Sequence, residues 1–395
     1  MDFINGLQRF KLFQNFIRNP SEFSAQLLVI PNRVASIVGL DVYSPDYTVP
    51  NRNLMYSLIS VCIFYYIDTT SAYEMRHEPE NLINCLVTFG IGIQIIGKVF
   101  TFVYFRKDLI GMHEYTLVLL KEECNPRTKP MLMGKLFLLS VILKTMLICY
   151  AFTSVVLDVV PLLFLWQTGE KILPFGFYIP YIDPNSWSGY LLNYALQILL
   201  TVFVSSGDMG PDCIYVIILM NAFIQIDLLV SSLQEVNRQI ELGDEEMANC
   251  FQKIIKRHQE HLKYLRTVEN VFRFNFFVTF ASLASVLVTA LFAVVKLSWY
   301  QGYVFIAFVS YQLFFGCFLG TLLEMKNEQL QREIYNLCWY KLSNSNRKSH
   351  RFLLQGSQQP VCLTIIFGKL NMPTYLQVYK MIYSIFTMLL TAREE

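Results

Sequence analysis

The stretch from Tyr190 to Leu229 reads YLLNYALQILLTVFVSSGDMGPDCIYVIILMNAFIQIDLL, and it decides the class of fold. About twenty apolar residues allow a helix to cross a hydrocarbon core of roughly 30 Å. Because this run exceeds one span, we expect its helix to continue beyond the membrane. Asp208 and Asp212 flank Gly210-Pro211, where we expect the helix to break. Capping of the broken helix is favoured for these carboxylates over contact with an ion or substrate.

Six further apolar runs lie on either side of this stretch. Charged residues are only 16% of the 395 and apolar residues 54%, which is typical of a membrane protein in contact with lipid. The net charge of +2 gives no basic excess that would favour nucleic acid as a partner. We predict an all-α bundle of seven transmembrane helices, over Leu54–Asp68, Leu82–Phe105, Met133–Val159, Tyr190–Leu229, Val271–Val295, Gly302–Leu323 and Thr374–Leu390.

Lys and Arg residues indicate the orientation of the bundle. Of 32, 23 fall in the N-terminal segment and the second, fourth and sixth loops, against 4 in the other loops and the C-terminal tail. Since cytoplasmic segments carry the excess of positive charge, we predict a cytoplasmic N-terminus and an extracellular C-terminus. Residues 1–20 show no signal-peptide pattern. Snorkelling to the cytoplasmic interface is the favoured explanation for Lys98, Lys135, Lys144 and Arg273.

Three aqueous segments carry further predictions. Residues 165–187 are rich in proline and aromatic residues, so we expect an external lid over the bundle, with an interfacial aromatic belt as the alternative. Residues 230–270 have a helical apolar pattern and a break at Gly243, before the acidic turn Asp244 to Glu246. Within residues 324–372 we expect a helix that continues span six, a polar break from Ser343 to Ser349, and an apolar stretch from Val361 to Phe367.

The apolar faces of these cytoplasmic helices need a packing partner. We therefore expect residues 324–372 to form an intersubunit anchor of an oligomer, with packing inside one chain as the alternative. Residues 373–395 form the last domain, a helix with a short external tail. Residues 1–323 hold the first six spans.

The last span has a polar face. Gln377, Lys380, Ser384, Thr387 and Thr391 recur at helical spacing, opposite an apolar face. Such a stripe either lines a water-filled pore or hydrogen-bonds a neighbouring helix. Residues Met388 to Leu390 are suited to an apolar constriction that gates by dewetting.

No catalytic or metal-binding motif is evident. The five histidines lie outside the spans, and the nine cysteines form no CxxC pair. We therefore predict neither an enzyme nor a cofactor or metal site.

Four segments together resemble the insect odorant receptors over essentially the whole chain. They are LPFGFYIPYIDP (173–184), YQLFFGCFLG (311–320), EMKNEQLQREIYNLCWYKL (324–342) and IYSIFTMLL (382–390). Tyr383-Ser384 lacks the following Gln-Phe of gustatory receptors, which favours the odorant branch and its ligand-tuning subunit.

The resemblance implies a function in olfaction and sensory transduction. Members assemble with the co-receptor Orco into a heterotetramer, an odorant-gated, nonselective cation channel in the plasma membrane of the ciliated dendrite of olfactory sensory neurons. The last helices line the pore, which here implicates Lys380, Tyr383, Ser384, Thr387, Leu390 and Thr391. A G-protein-coupled chemoreceptor, a gustatory-type receptor and a transporter that uses the fourth span are the alternatives.

The resemblance also places the odorant pocket in the external half of the bundle. The implied candidates are Leu86, Phe89, Tyr150, Phe152, Ser154, Tyr194, Gln197, Thr201, Tyr303, Phe305 and Phe308. Aromatic walls with a few hydroxyl and amide groups suit a small volatile. Because no charged group stands out in this set, we expect a neutral, aromatic odorant.

Overall fold

The computed structural model describes residues 19–77, 79–242, 247–297, 299, 302–366 and 368–391. These residues are almost entirely helical. The helices are α1 (Pro20–Ala35), α2 (Arg52–Glu74), α3 (Pro79–Tyr104), α4 (Arg106–Glu122), α5 (Lys129–Thr168), α6 (Trp187–Leu242), α7 (Met247–Leu297), α8 (Gly302–Tyr335), α9 (Asn344–Ser357) and α10 (Met372–Thr391), with 3₁₀ turns at Ser36–Val38 and Trp339–Lys341.

A helix occupies each of the seven predicted spans, and the predicted all-α bundle is confirmed. By length and hydropathy, five helices of the described part could cross a membrane: α3, α5, α6, α7 and α8. The first and last predicted spans correspond to α2 and α10, with 23 and 20 residues. At 1.5 Å per residue, each is at least about 30 Å long and matches a hydrocarbon core. The orientation in the membrane stays a prediction.

Helix α6 lies at the centre of the bundle, packed against α1, α3, α5, α7 and α8. Its most apolar stretch of 18 residues is entirely buried. The break predicted at Gly210-Pro211 is wrong, because α6 continues without interruption from Trp187 to Leu242. A Cβ on Gly210 would lie 2.8 Å from the Cβ of Ala35, so glycine here allows α1 to pack closely on α6.

The segment that follows span six extends the bundle on one side. As predicted, α8 runs beyond the span to Tyr335, with Leu330 and Ile334 buried. The polar break predicted from Ser343 to Ser349 is wrong: the hydroxyl of Ser343 caps α9, accepting from the backbone N–H of Asn346. One face of α9 is buried, which stabilises a helix of polar composition.

The predicted apolar stretch contains a short strand, β1 (Thr364–Ile365), which pairs antiparallel with β2 (Gly368–Lys369) just after the stretch. Phe367 and the predicted turn at 243–246 lie outside the described residues.

Helix α10 packs on α7 and α8 along one side only. Its start is held by the hydroxyl of Thr321, which accepts from the backbone N–H of Met372 at 2.9 Å. Ile382 is the buried residue of α10, and the other faces of this helix are exposed or half-buried in the single chain.

Candidate functional site

A cavity lies inside the bundle between α2, α3, α5, α6 and α8, close to the segment that links α5 and α6. The volume open to the centres of water molecules is about 90 Å³. Its walls are mostly apolar. Its lining residues include Thr88, Gln94, Tyr150, Thr153, Ser154, Phe175, Phe177, Thr201, Ser205, Asp208, Phe305, Phe308 and Gln312. We call this space the roofed cavity.

The roof is the irregular segment between α5 and α6. Gln197, buried on α6, binds it through both ends of its amide: Oε1 accepts from the backbone N–H of Phe175 at 3.0 Å, and Nε2 donates to the carbonyl of Phe177 at 2.7 Å. From α2, Ser71 donates to the carbonyl of Tyr178 at 2.9 Å. These contacts place the rings of Phe175 and Phe177 in the cavity wall.

Aromatic rings form much of that wall. The ring of Tyr150 meets that of Phe308 edge to face, with centroids 4.8 Å apart. Phe177 stacks on Phe175 at 6.1 Å and meets Phe64 edge to face at 5.5 Å. Such rings give a small apolar ligand a large contact area with little loss of side-chain entropy.

A charged cluster lies at the inner end of the cavity. The ammonium of Lys98 is 2.9 Å from Oδ1 of Asp208 and 2.8 Å from Oδ1 of Asp212. Tyr150 donates its hydroxyl proton to Asp212 and accepts a hydrogen bond from Gln312 Nε2 at 2.8 Å. The cluster thereby connects the cavity to α3, α5, α6 and α8.

This cluster corrects two expectations. The side chain of Lys98 has no exposed surface, so Lys98 forms an internal ion pair and does not snorkel to an interface. Asp208 and Asp212 neutralise that lysine instead of capping a broken helix. The cost of placing one ammonium in an apolar interior explains why two carboxylates surround it.

Five of the eleven sequence-predicted pocket residues line the roofed cavity: Tyr150, Ser154, Thr201, Phe305 and Phe308.

Three more do not line the cavity: Gln197 and Tyr194 are buried, and Phe89 is half-buried. Gln197 binds the roof, Tyr194 donates to the carbonyl of Asp158, and Phe89 packs on the ring of Tyr65. Leu86, Phe152 and Tyr303 lie on the outer surface of the bundle, at 39%, 61% and 64% exposure.

Sequence reasoning missed Gln94, Thr153, Asp208 and Gln312 as cavity residues. A helical signal was present for three of them. Thr153 lies three residues after Tyr150, and Gln312 lies four residues after Phe308. Asp208 lies seven residues, about two turns, after Thr201, so each of the three shares a helix face with a residue that was chosen. Gln94 gave no comparable signal, because its position depends on how α3 packs against α6 and α7.

The predicted pore residues lie on the open side of α10. Lys380, Tyr383, Ser384 and Thr391 are exposed, and Thr387 and Leu390 are half-buried. The hydroxyls of Thr387 and Thr391 donate to backbone carbonyls one turn earlier, at 3.0 and 3.1 Å. These residues are therefore available to a neighbouring chain or to water.

This bundle of apolar helices around an internal cavity is the architecture of a membrane receptor. The family model described as 7tm Odorant receptor matches residues 78–383, and the chain belongs to this family. It is thus an insect odorant receptor that crosses the membrane several times.

Two relatives and one solved structure illustrate the similarity. The chain is 26% identical over 259 residues to putative odorant receptor 83c of Drosophila melanogaster, and 24% identical over 241 residues to odorant receptor 10 of Aedes albopictus. The matches cover 61% and 56% of this chain but less than two thirds of those relatives, 65% and 61% of their lengths.

The structure of the olfactory receptor OR5 from Machilis hrabei, in complex with eugenol, has the same fold. Its TM-score is 0.77 at 14% identity, and the match covers 93% of this chain and 99% of OR5.

Proposed function

We propose that this chain is the odorant-binding subunit of an odorant-gated, nonselective cation channel. A small neutral volatile occupies the roofed cavity, and the chain forms a heterotetramer with the co-receptor Orco in the plasma membrane. The observation that carries the proposal is the apolar cavity itself. Its roof is hydrogen-bonded in place by Gln197, and one wall is α8, the helix on which α10 packs.

The size of the cavity suits a volatile molecule. The centre of one water molecule needs roughly 15 Å³ of open volume, so the 90 Å³ of this cavity has room for about six waters. In the liquid, each water occupies about 30 Å³. A ligand that displaces them would have a volume of about 180 Å³, or on the order of ten heavy atoms. At roughly 0.8 kcal/mol per heavy atom, such a ligand binds with micromolar affinity. Eugenol, the ligand of OR5, is an aromatic molecule of this size.

The wall formed by α8 offers a mechanical link from ligand to pore. Phe308 and Gln312 face the cavity, and two residues further along, the ring of Phe314 meets that of Tyr375 on α10 at 5.8 Å. A ligand that fits better when α8 has shifted would favour the open state, because only differential contact moves the equilibrium. Phe308 and Gln312 are the groups that would sense the odorant.

The open side of α10 supports its role as the pore helix. In a tetramer, four such faces would meet around an axis, and Lys380, Ser384 and Thr387 would contact water and permeant cations. The apolar Leu390 would then narrow the path at the outer end. Orco would supply the other pore helices.

Recording from cells that co-express the chain with Orco tests this proposal. We expect volatiles of about ten heavy atoms to evoke inward cation currents that cells with Orco alone do not show. Surface labelling confirms that both subunits reach the membrane. No evoked current across a broad panel of neutral volatiles, with both subunits at the surface, would contradict the proposal.

The orientation needs its own test, since it separates this proposal from a G-protein-coupled receptor. An epitope tag attached after Glu395 should be stained by antibody without permeabilising the cell. A tag that stains only after permeabilisation would contradict the inverted topology.

A further inference from the structure

A second, smaller space lies deeper in the bundle, which we call the inner cavity. Its volume is about 50 Å³. It is enclosed by α3, α5, α6, α7 and α8, and its polar lining residues are Gln94, Tyr150, Asp212, Tyr215, Asn275, Thr279, Tyr311 and Gln312. Gln94, Tyr150 and Gln312 also line the roofed cavity, so these three side chains form the wall between the two spaces.

Unpaired polar atoms converge on this cavity. Among the described residues, four lining side chains have a buried atom without a hydrogen-bond partner: Gln94 Nε2, Tyr215 OH, Asn275 Oδ1 and Thr279 Oγ1. Gln94, Tyr215 and Asn275 are at most 7% exposed. Buried polar groups in folded proteins nearly always have a partner, so a cluster of exceptions around one cavity indicates a missing ligand. Three of the four atoms are oxygens.

The charge beside the cavity indicates what the ligand is. Asp208 and Asp212 share the single ammonium of Lys98, so the cluster has one net negative charge when both carboxylates are ionised. Asp208 faces the roofed cavity and Asp212 faces the inner one. The carboxylate of Asp212 therefore stands at the edge of a polar space with unsatisfied oxygens. An uncompensated negative charge in an apolar interior is costly, and a cation removes that cost.

We propose that the inner cavity binds a monovalent cation, with Na⁺ as the ion that fits its size and charge. The ligands are the carboxylate of Asp212, the carbonyl of Asn275 and the hydroxyls of Tyr215 and Thr279. Hard oxygen ligands suit Na⁺, and one net negative charge is balanced by one monovalent ion. A divalent ion would leave a surplus positive charge and would require more carboxylates. The cavity has room for about three water-sized particles, enough for the ion and two waters.

The site would be coupled to the roofed cavity through Tyr150. Tyr150 lines both cavities. Its hydroxyl donates to Asp212 and accepts a hydrogen bond from Gln312 on α8. The Na⁺ ion would join α6 and α7 directly, and the hydrogen bonds from Tyr150 to Asp212 and from Gln312 to Tyr150 would extend this link to α5 and α8. This inference does not depend on the proposed odorant response, because ion binding is measurable on the chain alone.

Thermal unfolding of the purified full chain in lipid nanodiscs tests the site. The midpoint is compared in NaCl and in choline chloride, each at about 0.15 M, so that ionic strength is equal. We expect Na⁺ to raise Tm by about 2–4 °C, because an ion bound only by the folded state stabilises that state. Equal midpoints in the two salts would overturn the proposal.

Two variants locate the effect. Asn275→Leu removes the carbonyl ligand and should abolish the difference between NaCl and choline chloride. Asn327→Leu is the matched control: this asparagine is also buried, but its amide donates to the carbonyl of Val361, away from the cavity, and the Na⁺ effect should persist.

Tyr215→Phe is a milder variant in case Asn275→Leu fails to fold. It removes an unpaired hydroxyl, so a cavity without an ion predicts equal or higher stability in both salts, whereas the proposal predicts a reduced Na⁺ effect. An unchanged Na⁺ effect in both cavity variants would overturn the assignment to this site.

Discussion

Helices α6 and α10 are both apolar helices that carry polar side chains, but their surroundings are opposite. The most apolar stretch of 18 residues in α6 is entirely buried. Asp208 and Asp212 of this helix are paired with Lys98 inside the same chain. On α10, Ile382 is the buried residue, and Lys380, Tyr383 and Ser384 are exposed. The polar groups of α6 therefore specify the fold of one subunit. Those of α10 require contacts outside the subunit, with water or a neighbouring chain.

The largest expected effect comes from removing the lysine that neutralises α6. Lys98→Leu leaves the buried carboxylate of Asp208 and the half-buried one of Asp212 without a counter-charge, at a cost of about 3–5 kcal/mol. This is a large fraction of the stability of a typical protein, so we expect most of the chain to be lost from the cell surface. Surface biotinylation measures the loss.

Lys380→Leu is the matched control on α10. Because this lysine is exposed, we expect a change in the free energy of unfolding within about 0.5 kcal/mol and normal surface levels. Equal surface levels for the two variants would break the contrast between α6 and α10.

The open face of α10 should be accessible from the pore. With the chain and Orco co-expressed, a water-soluble thiol reagent should reduce odorant-evoked current through Thr387→Cys channels by about half or more, because a charged adduct would obstruct the cation path. Ile382→Cys is the control, since Ile382 is 2% exposed and packs inside the subunit. Greater block at position 382 than at 387 would place a different face of α10 at the pore.

Replacing Gln197, which binds the roof, should change odorant potency more than replacing Gln377 on α10. Gln197→Leu removes the hydrogen bonds to Phe175 and Phe177, and we expect the half-maximal odorant concentration to rise about tenfold, equivalent to roughly 1.4 kcal/mol. Gln377→Leu, at an exposed position of α10, should leave odorant potency within about twofold. Dose–response curves distinguish the two, and equal shifts would show that the roof does not retain the ligand.

The positions of the helices were predictable because each span is a long apolar run in the sequence. The continuity of α6 was not, since the tendency of Gly210-Pro211 to break a helix was overcome by close packing against Ala35. The role of Lys98 was also hidden, because its partners lie 110 and more residues further along the chain. The need to neutralise a lysine and two aspartates within one bundle was the signal that could have paired them.

The pocket residues show where sequence reasoning ends. Tyr150 and Ser154 are one turn apart and share the cavity face of α5, whereas Phe152 lies about 200° around the helix and points outward. The same spacing separates Tyr303 from Phe305 on α8. Helical periodicity therefore could have grouped the residues into faces, but only packing decides which face meets the cavity.

The most direct measurement of the central claim compares these two faces of α8. Whole-cell dose–response curves are recorded with Orco for Phe308→Ala, in the cavity wall, and for Tyr303→Ala, on the outer surface. We expect Phe308→Ala to raise the half-maximal odorant concentration about tenfold with little change in maximal current, because aromatic contact with the ligand is lost. Tyr303→Ala should change it less than about twofold. A larger shift for Tyr303→Ala than for Phe308→Ala would contradict the assignment of the roofed cavity as the odorant site.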